Sequence, residues 1–245
     1  MHRFHIPDAD FTQSTIELTN KKEIHHFKNV LRLKKDAIIF VFNERGEEAR
    51  IKILSVHDDK VIGERMSLEK NQMNGPYIIL ACAIPKKSKF ETIIEKTTEL
   101  GVDEIIPLKT NRTEIQLRDE RLAKKQTRFE TVALNAAKQS QRRRIPLIHP
   151  VTSFSLALEN LSKISTVIIP SLQKDRRPIF AIFKKISDAK KISILIGPEG
   201  DFTKEEYQLA ADHGALAVSL GETVLKVETA AISSVACIKI FFESV

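Results

Sequence analysis

With 245 residues, 42% of them hydrophobic, the chain has enough apolar mass for one large domain or two modest ones. Its 39 Lys and Arg against 32 Asp and Glu give a net charge of +7 and a pI near 9.3, which favours polyanionic partners, nucleic acid first, over acidic proteins or neutral surfaces. Two cysteines in separate apolar stretches, Cys82 and Cys237, argue against a disulfide framework, and the absence of an apolar leader or a long apolar run points to a cytoplasmic protein without membrane spans.

Residues 1–72 read as a small β-rich unit. Apolar runs at 38–42, 49–56 and 60–66 are separated by the turn sequences Asn43-Glu44-Arg45-Gly46 and His57-Asp58-Asp59, the pattern of a compact barrel. Between them Ile24, Phe27, Val30 and Leu31 fall at helical spacing and leave His26 and Arg32 off the apolar stripe. The polar stretch 69–76 ends in Gly-Pro and marks a domain boundary, so the expected domains are 1–72 and 73–245. Beyond it, 77–84 reads as a strand, and Phe90, Ile93, Ile94, Thr97 and Leu100 line one face of a helix closed by Gly101. A strand at 102–108 and a long helix around 118–140 follow. Strands near 165–170, 192–196 and 215–220 then alternate with helices near 176–187, 203–213 and 228–242. Such alternation predicts an α/β domain with a mainly parallel sheet covered on both faces. Thr203 and Glu206 form a capping-box pattern, and Gly214 supplies a left-handed stop.

Two late segments carry the chemistry. Ile-Leu-Ile-Gly-Pro-Glu-Gly at 194–200 and the stretch 219–231 around Leu220-Gly221 each read as a buried strand, a glycine-containing turn and a helix start, an arrangement that offers bare backbone N–H groups to a ligand. Taken alone, 197–200 is equally a rigid turn; the second glycine turn tips the balance toward one shared pocket. Neither Gly-x-Gly-x-x-Gly nor a P-loop occurs, so the grip is of another kind. The other feature is basic: Lys138-Gln139-Ser140-Gln141-Arg142-Arg143-Arg144-Ile145-Pro146 ends a helix. Three consecutive arginines exceed what a helix dipole uses, and their planar forks suit phosphates and bases, so this turn reads as an RNA surface. Arg112 follows the strand 102–108 at the edge where open α/β sheets bind ligands, and is equally a surface-loop residue. His25-His26 has no further His or Cys at ligand spacing, and no metal is assigned.

These residues also form an ordered set: His26 with Val30-Leu31-Arg32; Lys87, Glu95-Lys96 and Glu99-Leu100-Gly101-Val102; Asn111-Arg112; Ala137, Gln139-Ser140, Arg142 and Arg144-Ile145-Pro146; Ile196 to Gly200; and Leu220-Gly221, Leu225 and Glu228-Thr229-Ala230. Over essentially its whole length the chain resembles the bacterial 16S ribosomal RNA uridine-N3 methyltransferases, the RsmE family of the knotted SPOUT methyltransferases. The resemblance implies a PUA-like β-barrel that helps hold rRNA, an α/β domain threaded into a trefoil knot, a homodimer, and S-adenosylmethionine bound bent among the knot loops. By this likeness Ile169, Pro170, Ser171, Ile196, Gly197, Gly200, Leu220, Gly221 and Leu225 hold the cofactor. His26, Arg32, Arg112, Arg142, Arg143, Arg144 and Lys226 contact RNA. Arg142, Arg144 and Arg112 also steady charge on the uracil oxygens, while Glu199 and Glu228 are both candidates for a carboxylate that helps N3 lose its proton, Glu228 being equally a helix-start residue that satisfies backbone N–H groups. The substrate implied is a uridine splayed out of 16S rRNA, free or in the small ribosomal subunit. Three positions depart from the family pattern: Asp201 and Gln141 stand where glycine is usual, and Lys226 where arginine is frequent. A related knotted enzyme acting on tRNA or a ribose 2'-hydroxyl, and a non-catalytic RNA-binding protein, are the competing readings.

Overall fold

Alternating and continuous apolar runs build two different sheets. The computed structural model describes residues 2–70, 75–86, 89–113 and 119–243. Their contacts group into one unit of Met1–Gln72 with Ala137–Ile145 and another of Met73–Ala136 with Pro146–Val245.

In the first unit the strands β1 (Arg3–His5), β2 (Thr15–Leu18), β3 (Ile38–Phe42), β4 (Glu47–Val56) and β5 (Val61–Lys70) form a five-stranded sheet in the order β1-β3-β4-β5-β2. β1 runs parallel to β3 and the remaining pairs are antiparallel. Register shifts after Arg50 and Ile53 curl the long β4–β5 ribbon. The curl wraps Phe4, Ile39, Val41, Ile51 and Ile53 around Phe11 and Phe27. Helix α1 (Lys21–His25) begins where the Asn20 side chain accepts from the backbone N–H groups of Lys22 and Glu23. The expected stripe of Ile24, Phe27, Val30 and Leu31 holds only in part. From His26 to Val30 the chain widens into a π turn, with the Leu31 N–H donating to the His26 carbonyl at 2.9 Å. The wider loop rotates Val30 off the apolar face, leaving it 58% exposed while Ile24 and Phe27 are buried. His26 and Arg32 are exposed, as their places off the stripe require.

The second unit contains β6 (Tyr77–Ala83), α2 (Lys89–Glu99), β7 (Glu104–Lys109), α3 (Asp119–Gln139), β8 (Leu147–Ile148), β9 (Thr152–Ser153), α4 (Phe154–Ile164), β10 (Thr166–Pro170), β11 (Arg177–Pro178), α5 (Ile179–Phe183), β12 (Lys191–Ile196), α6 (Lys204–Asp212), β13 (Leu216–Ser219) and α7 (Val227–Glu243). The last turn of α3, from Ala137, groups with the first unit. The sheet runs β11-β13-β10-β12-β6-β7-β8, with β9 on β7, and every pairing is parallel. Both faces are covered, which is why its strands are continuously apolar. Ile79, Ala81, Leu108 and Leu195 meet Phe154, Leu158 and Leu161 of α4 and Ala210 of α6, while α7 lies against β6, β12 and α2.

Helix α4 is absent from the sequence reading, although Phe154, Ala157, Leu158 and Leu161 sit at helical spacing behind a Ser153 cap. The helix expected over 176–187 shrinks to α5. Arg177 precedes a proline, which disfavours the helical region, and it pairs with β13 instead. The capping box at α6 has both of its bonds, Glu206 N–H to Thr203 Oγ1 at 3.2 Å and Thr203 N–H to Glu206 Oε2 at 2.8 Å.

Candidate active site

Three strands that neighbour one another in the sheet, β13, β10 and β12, run parallel and so end at one edge. Their outgoing loops are each tied by a short local bond. After β10, Ser171 Oγ accepts from the Gln173 N–H at 2.9 Å. After β12, Asp201 takes a left-handed φ of 63°, and its Oδ1 accepts from the Phe202 N–H at 2.8 Å and the Tyr207 hydroxyl at 2.7 Å. Burial and then this bond to Asp201 push the Tyr207 hydroxyl well above its ordinary value, so it stays a donor. After β13, Ser219 Oγ accepts from the Gly221 N–H at 3.2 Å and donates to the Gly221 carbonyl at 3.0 Å. Gly221 has φ 131°, a conformation that side-chain-bearing residues rarely adopt, with no atom within 4 Å of where a Cβ would stand.

The three loops enclose a cleft of about 380 Å³. Of the residues expected to hold a cofactor, Pro170, Ser171, Ile196, Gly197, Leu220, Gly221 and Leu225 line it. Ile169 lies one residue inside β10 and is buried in the core. Gly200 lines a second cleft of about 600 Å³ with Arg112, Asn111 and Lys86, and Pro198 and Glu199 are common to both. Arg112 donates to the Gly200 carbonyl. Beside it, the Asn111 N–H donates to Glu206 Oε1 at 2.9 Å, so the α6 capping carboxylate also holds the loop after β7. Glu199 Oε1 accepts from the Lys86 N–H at 2.9 Å.

Sequence reasoning missed Lys89 and Leu172 as lining residues, and it treated Asp201 only as a departure at a helix start and Lys226 only as an RNA contact; all four line the first cleft. For Lys89 the available signal was the same strand-loop-helix pattern, after β6. Glu228, in the first turn of α7, pairs with Lys89 Nζ at 3.1 Å. Although burial pulls the other way, its own backbone N–H, Lys89 and Lys226 hold its carboxyl below the usual range. Burial, followed by the charges of Glu199 and Glu228, pushes the Cys82 thiol far up, which leaves it unreactive. Lys87 lies outside the described residues. Among the described residues no three or more His, Cys, Asp or Glu side chains are placed to hold a metal, and no helix is long and apolar enough to cross a membrane.

The arginine turn belongs to the N-terminal unit. The Arg142 N–H reaches back to the Ala137 carbonyl at 2.9 Å and the Gln141 N–H to the Lys138 carbonyl at 3.4 Å, the paired bonds of a helix stop in which Gln141, at φ 60°, fills the left-handed position. Lys138 pairs with Glu23, and Arg143 with Glu69 and, at 3.6 Å, Glu48. The stem of Arg144 crosses Gly46, where an added Cβ would lie 2.6 Å from its Nε.

A family model described as the RNA methyltransferase domain matches residues 73–239, and one described as the RNA methyltransferase PUA domain matches residues 18–64. Ribosomal RNA small subunit methyltransferase E of Rickettsia conorii (strain Malish 7) is 30% identical over 245 residues, covering 98% of this chain and 95% of that one. The chain belongs to the ribosomal RNA small subunit methyltransferase E family. Its counterpart in Bacillus subtilis (strain 168) is 29% identical over 91% of this chain and 89% of its own. The crystal structure of the Neisseria gonorrhoeae family member bound to S-adenosyl methionine superposes with a TM-score of 0.86 at 25% identity, covering 98% of each chain. Membership makes this protein an RNA methyltransferase with an α/β domain and an N-terminal PUA-like sheet.

Proposed function

We propose that the first cleft takes S-adenosylmethionine and that the protein methylates N3 of a uridine in 16S rRNA of the small ribosomal subunit, as a cytoplasmic homodimer. One observation carries this reading: three adjacent parallel strands end in loops that close around a single cleft. The lining fits the cofactor. Leu172, Ile196, Leu225 and Val227 offer apolar walls for a flat base, the turn at Gly221 carries no side chain and lets a ligand come close to the main chain, and Glu199 and Asp201 set carboxylates against a cationic ligand. When bound, the cofactor supplies an electrophilic methyl group.

The residues of the chain must hold the uracil beside that group and ease the loss of its N3 proton. The Arg112 cleft, which shares Pro198 and Glu199 with the first, is the proposed seat of the base, with Arg112 steadying charge on a uracil oxygen. Glu199, fixed by the Lys86 N–H at the wall common to both clefts, is the favoured carboxylate. Glu228, held ionised by Lys89, is a weak proton acceptor and anchors the start of α7. In the N-terminal unit, Arg142, Arg143 and Arg144 are the proposed RNA contacts, joined by His26 and a shallow basic cleft of about 600 Å³ lined by Lys28, Arg32, Lys34 and Lys35. Exposed Leu172, Val224, Phe180 and Ile240 support burial against a second copy. The trefoil threading and the domain division at 72/73 belong to the same reading. Methyl transfer from labelled cofactor to small subunits lacking the modification, followed by mass spectrometry of the nucleosides, is expected to yield N3-methyluridine. A ribose-methylated nucleoside, or no incorporation, would overturn the assignment.

A further inference from the structure

A helix stop with Gln141 in the left-handed region costs about 1 kcal/mol relative to glycine, so the turn that carries Arg142 and Arg144 needs support from outside itself. That support comes from the first strand. One nitrogen of the Arg3 guanidinium donates to the Gln141 carbonyl, and the other donates to the Arg142 carbonyl at 3.1 Å while pairing with Glu48. Its face lies over the Phe42 ring, 5.1 Å from the centroid. The Arg3 and Glu48 side chains are only 7% and 9% exposed. A buried ion pair is a poor device for stability alone, because well-packed apolar groups usually serve as well. A planar fork aimed at two consecutive carbonyls has a more specific use. It fixes the path of the backbone from which the next side chains project, a geometry that lysine does not reproduce.

We infer that Arg3, oriented by Glu48 and Phe42, is a positioning residue for RNA binding that acts by holding the Gln141–Arg144 turn. The inference rests on the proposed reading that this turn contacts RNA. Arg3 touches neither RNA nor cofactor in this scheme; it removes conformations of the turn, so that the arginines lose less freedom when phosphates arrive. The pairings of Lys138 with Glu23 and of Arg143 with Glu69 act in the same sense at the two sides of the turn.

The test uses the full chain and small ribosomal subunits lacking the modification. Arg3→Lys keeps a cation for Glu48, and so the fold, but loses the fork. Its KM for subunits is expected to rise about fivefold to tenfold, with kcat and the Kd for S-adenosylmethionine unchanged. In an Arg142→Ala/Arg144→Ala background the same substitution is expected to have a clearly smaller effect, because two of the three arginines it positions are gone. If the double arginine variant leaves KM unchanged, the RNA role of the turn fails and the inference falls with it. If the double variant raises KM but Arg3→Lys does not, or if Arg3→Lys acts equally in both backgrounds, the RNA role stands and Arg3 is not its positioning residue.

Discussion

In the cleft of the C-terminal unit each loop carries a bond to a residue one or two positions away, Ser171 to Gln173, Asp201 to Phe202 and Ser219 to Gly221, and the distant ties, Lys86 to Glu199, Arg112 to Gly200 and Lys89 to Glu228, are added to these. Around the arginine turn of the N-terminal unit the ties span 138 and 139 residues from Arg3, 115 between Glu23 and Lys138 and 74 between Glu69 and Arg143. The first region presents turns that have local bonds of their own beside the distant ties; the second presents side chains, and these ties of the turn are all distant, each made by a charged side chain. Conditions that act on charge should therefore disturb the turn and its sheet more than the cleft.

Acid gives the largest contrast. Burial first, then the charge of Lys138, lowers the pKa of His5 from 6.5 to about 4, with Asp8 opposing. A histidine that is harder to protonate folded than unfolded contributes its stability in full above the unfolded value, near 6.5, and loses it as pH falls toward 4, because the unfolded chain then binds the extra proton. The gap corresponds to a loss on the order of 3 kcal/mol. Urea unfolding followed by amide NMR signals of β4 should show this loss between pH 6.5 and 4.5. His5→Phe, which keeps a ring against Phe42 at a site where the centroids lie 5.1 Å apart, should flatten it. A wild-type N-terminal unit equally stable at both pH values would break the contrast.

The cleft should instead yield to backbone strain. Gly221→Val forces a β-branched residue into φ 131°, which costs about 1–3 kcal/mol or distorts the loop after β13. A tenfold to hundredfold loss of S-adenosylmethionine affinity by calorimetry is expected, with affinity for small subunits unchanged. Loss of RNA binding with cofactor binding intact would reverse the roles given to the two regions.

The same difference explains what was legible in the sequence. Strand, glycine turn and cap are local signals, so the 197–200 and 220–221 turns, the Thr203–Glu206 box and the parallel sheet could be read from residues near one another. Leu172 escaped because the expected cofactor residues of the loop after β10 end at Ser171, and Lys89 because a lining position depends on which strands are neighbours and nothing in the chain states that β6 lies beside β12. The cluster 142–144 was visible as charge, but its attachment to Arg3, Glu48 and Glu69 was not, since pairing across such separations leaves no periodicity. Val30 was misplaced because one extra residue in a turn of helix shifts every later position around the axis.

The finest test applies one substitution to both regions. Gln141 and Asp201 hold left-handed conformations, at φ 60° and 63°, where glycine is the less strained residue. Asp201 is compensated: its carboxylate accepts from the Phe202 N–H and the Tyr207 hydroxyl, bonds worth about 1 kcal/mol each. The Gln141 side chain makes no hydrogen bond among the described residues, and the long-range contact runs through its carbonyl, which glycine retains. Gln141→Gly should therefore stabilise the protein by about 0.5 kcal/mol, after allowing for the greater freedom of glycine in the unfolded chain. Asp201→Gly should destabilise it by about 0.5–1 kcal/mol, since relief of strain does not offset two lost bonds. Thermal melts that move in opposite directions fit a cleft closed by its own side chains and a turn closed from afar. Melts that both rise would mean that Asp201 is strained rather than anchored, and that the cleft, like the turn, takes its shape from elsewhere in the chain.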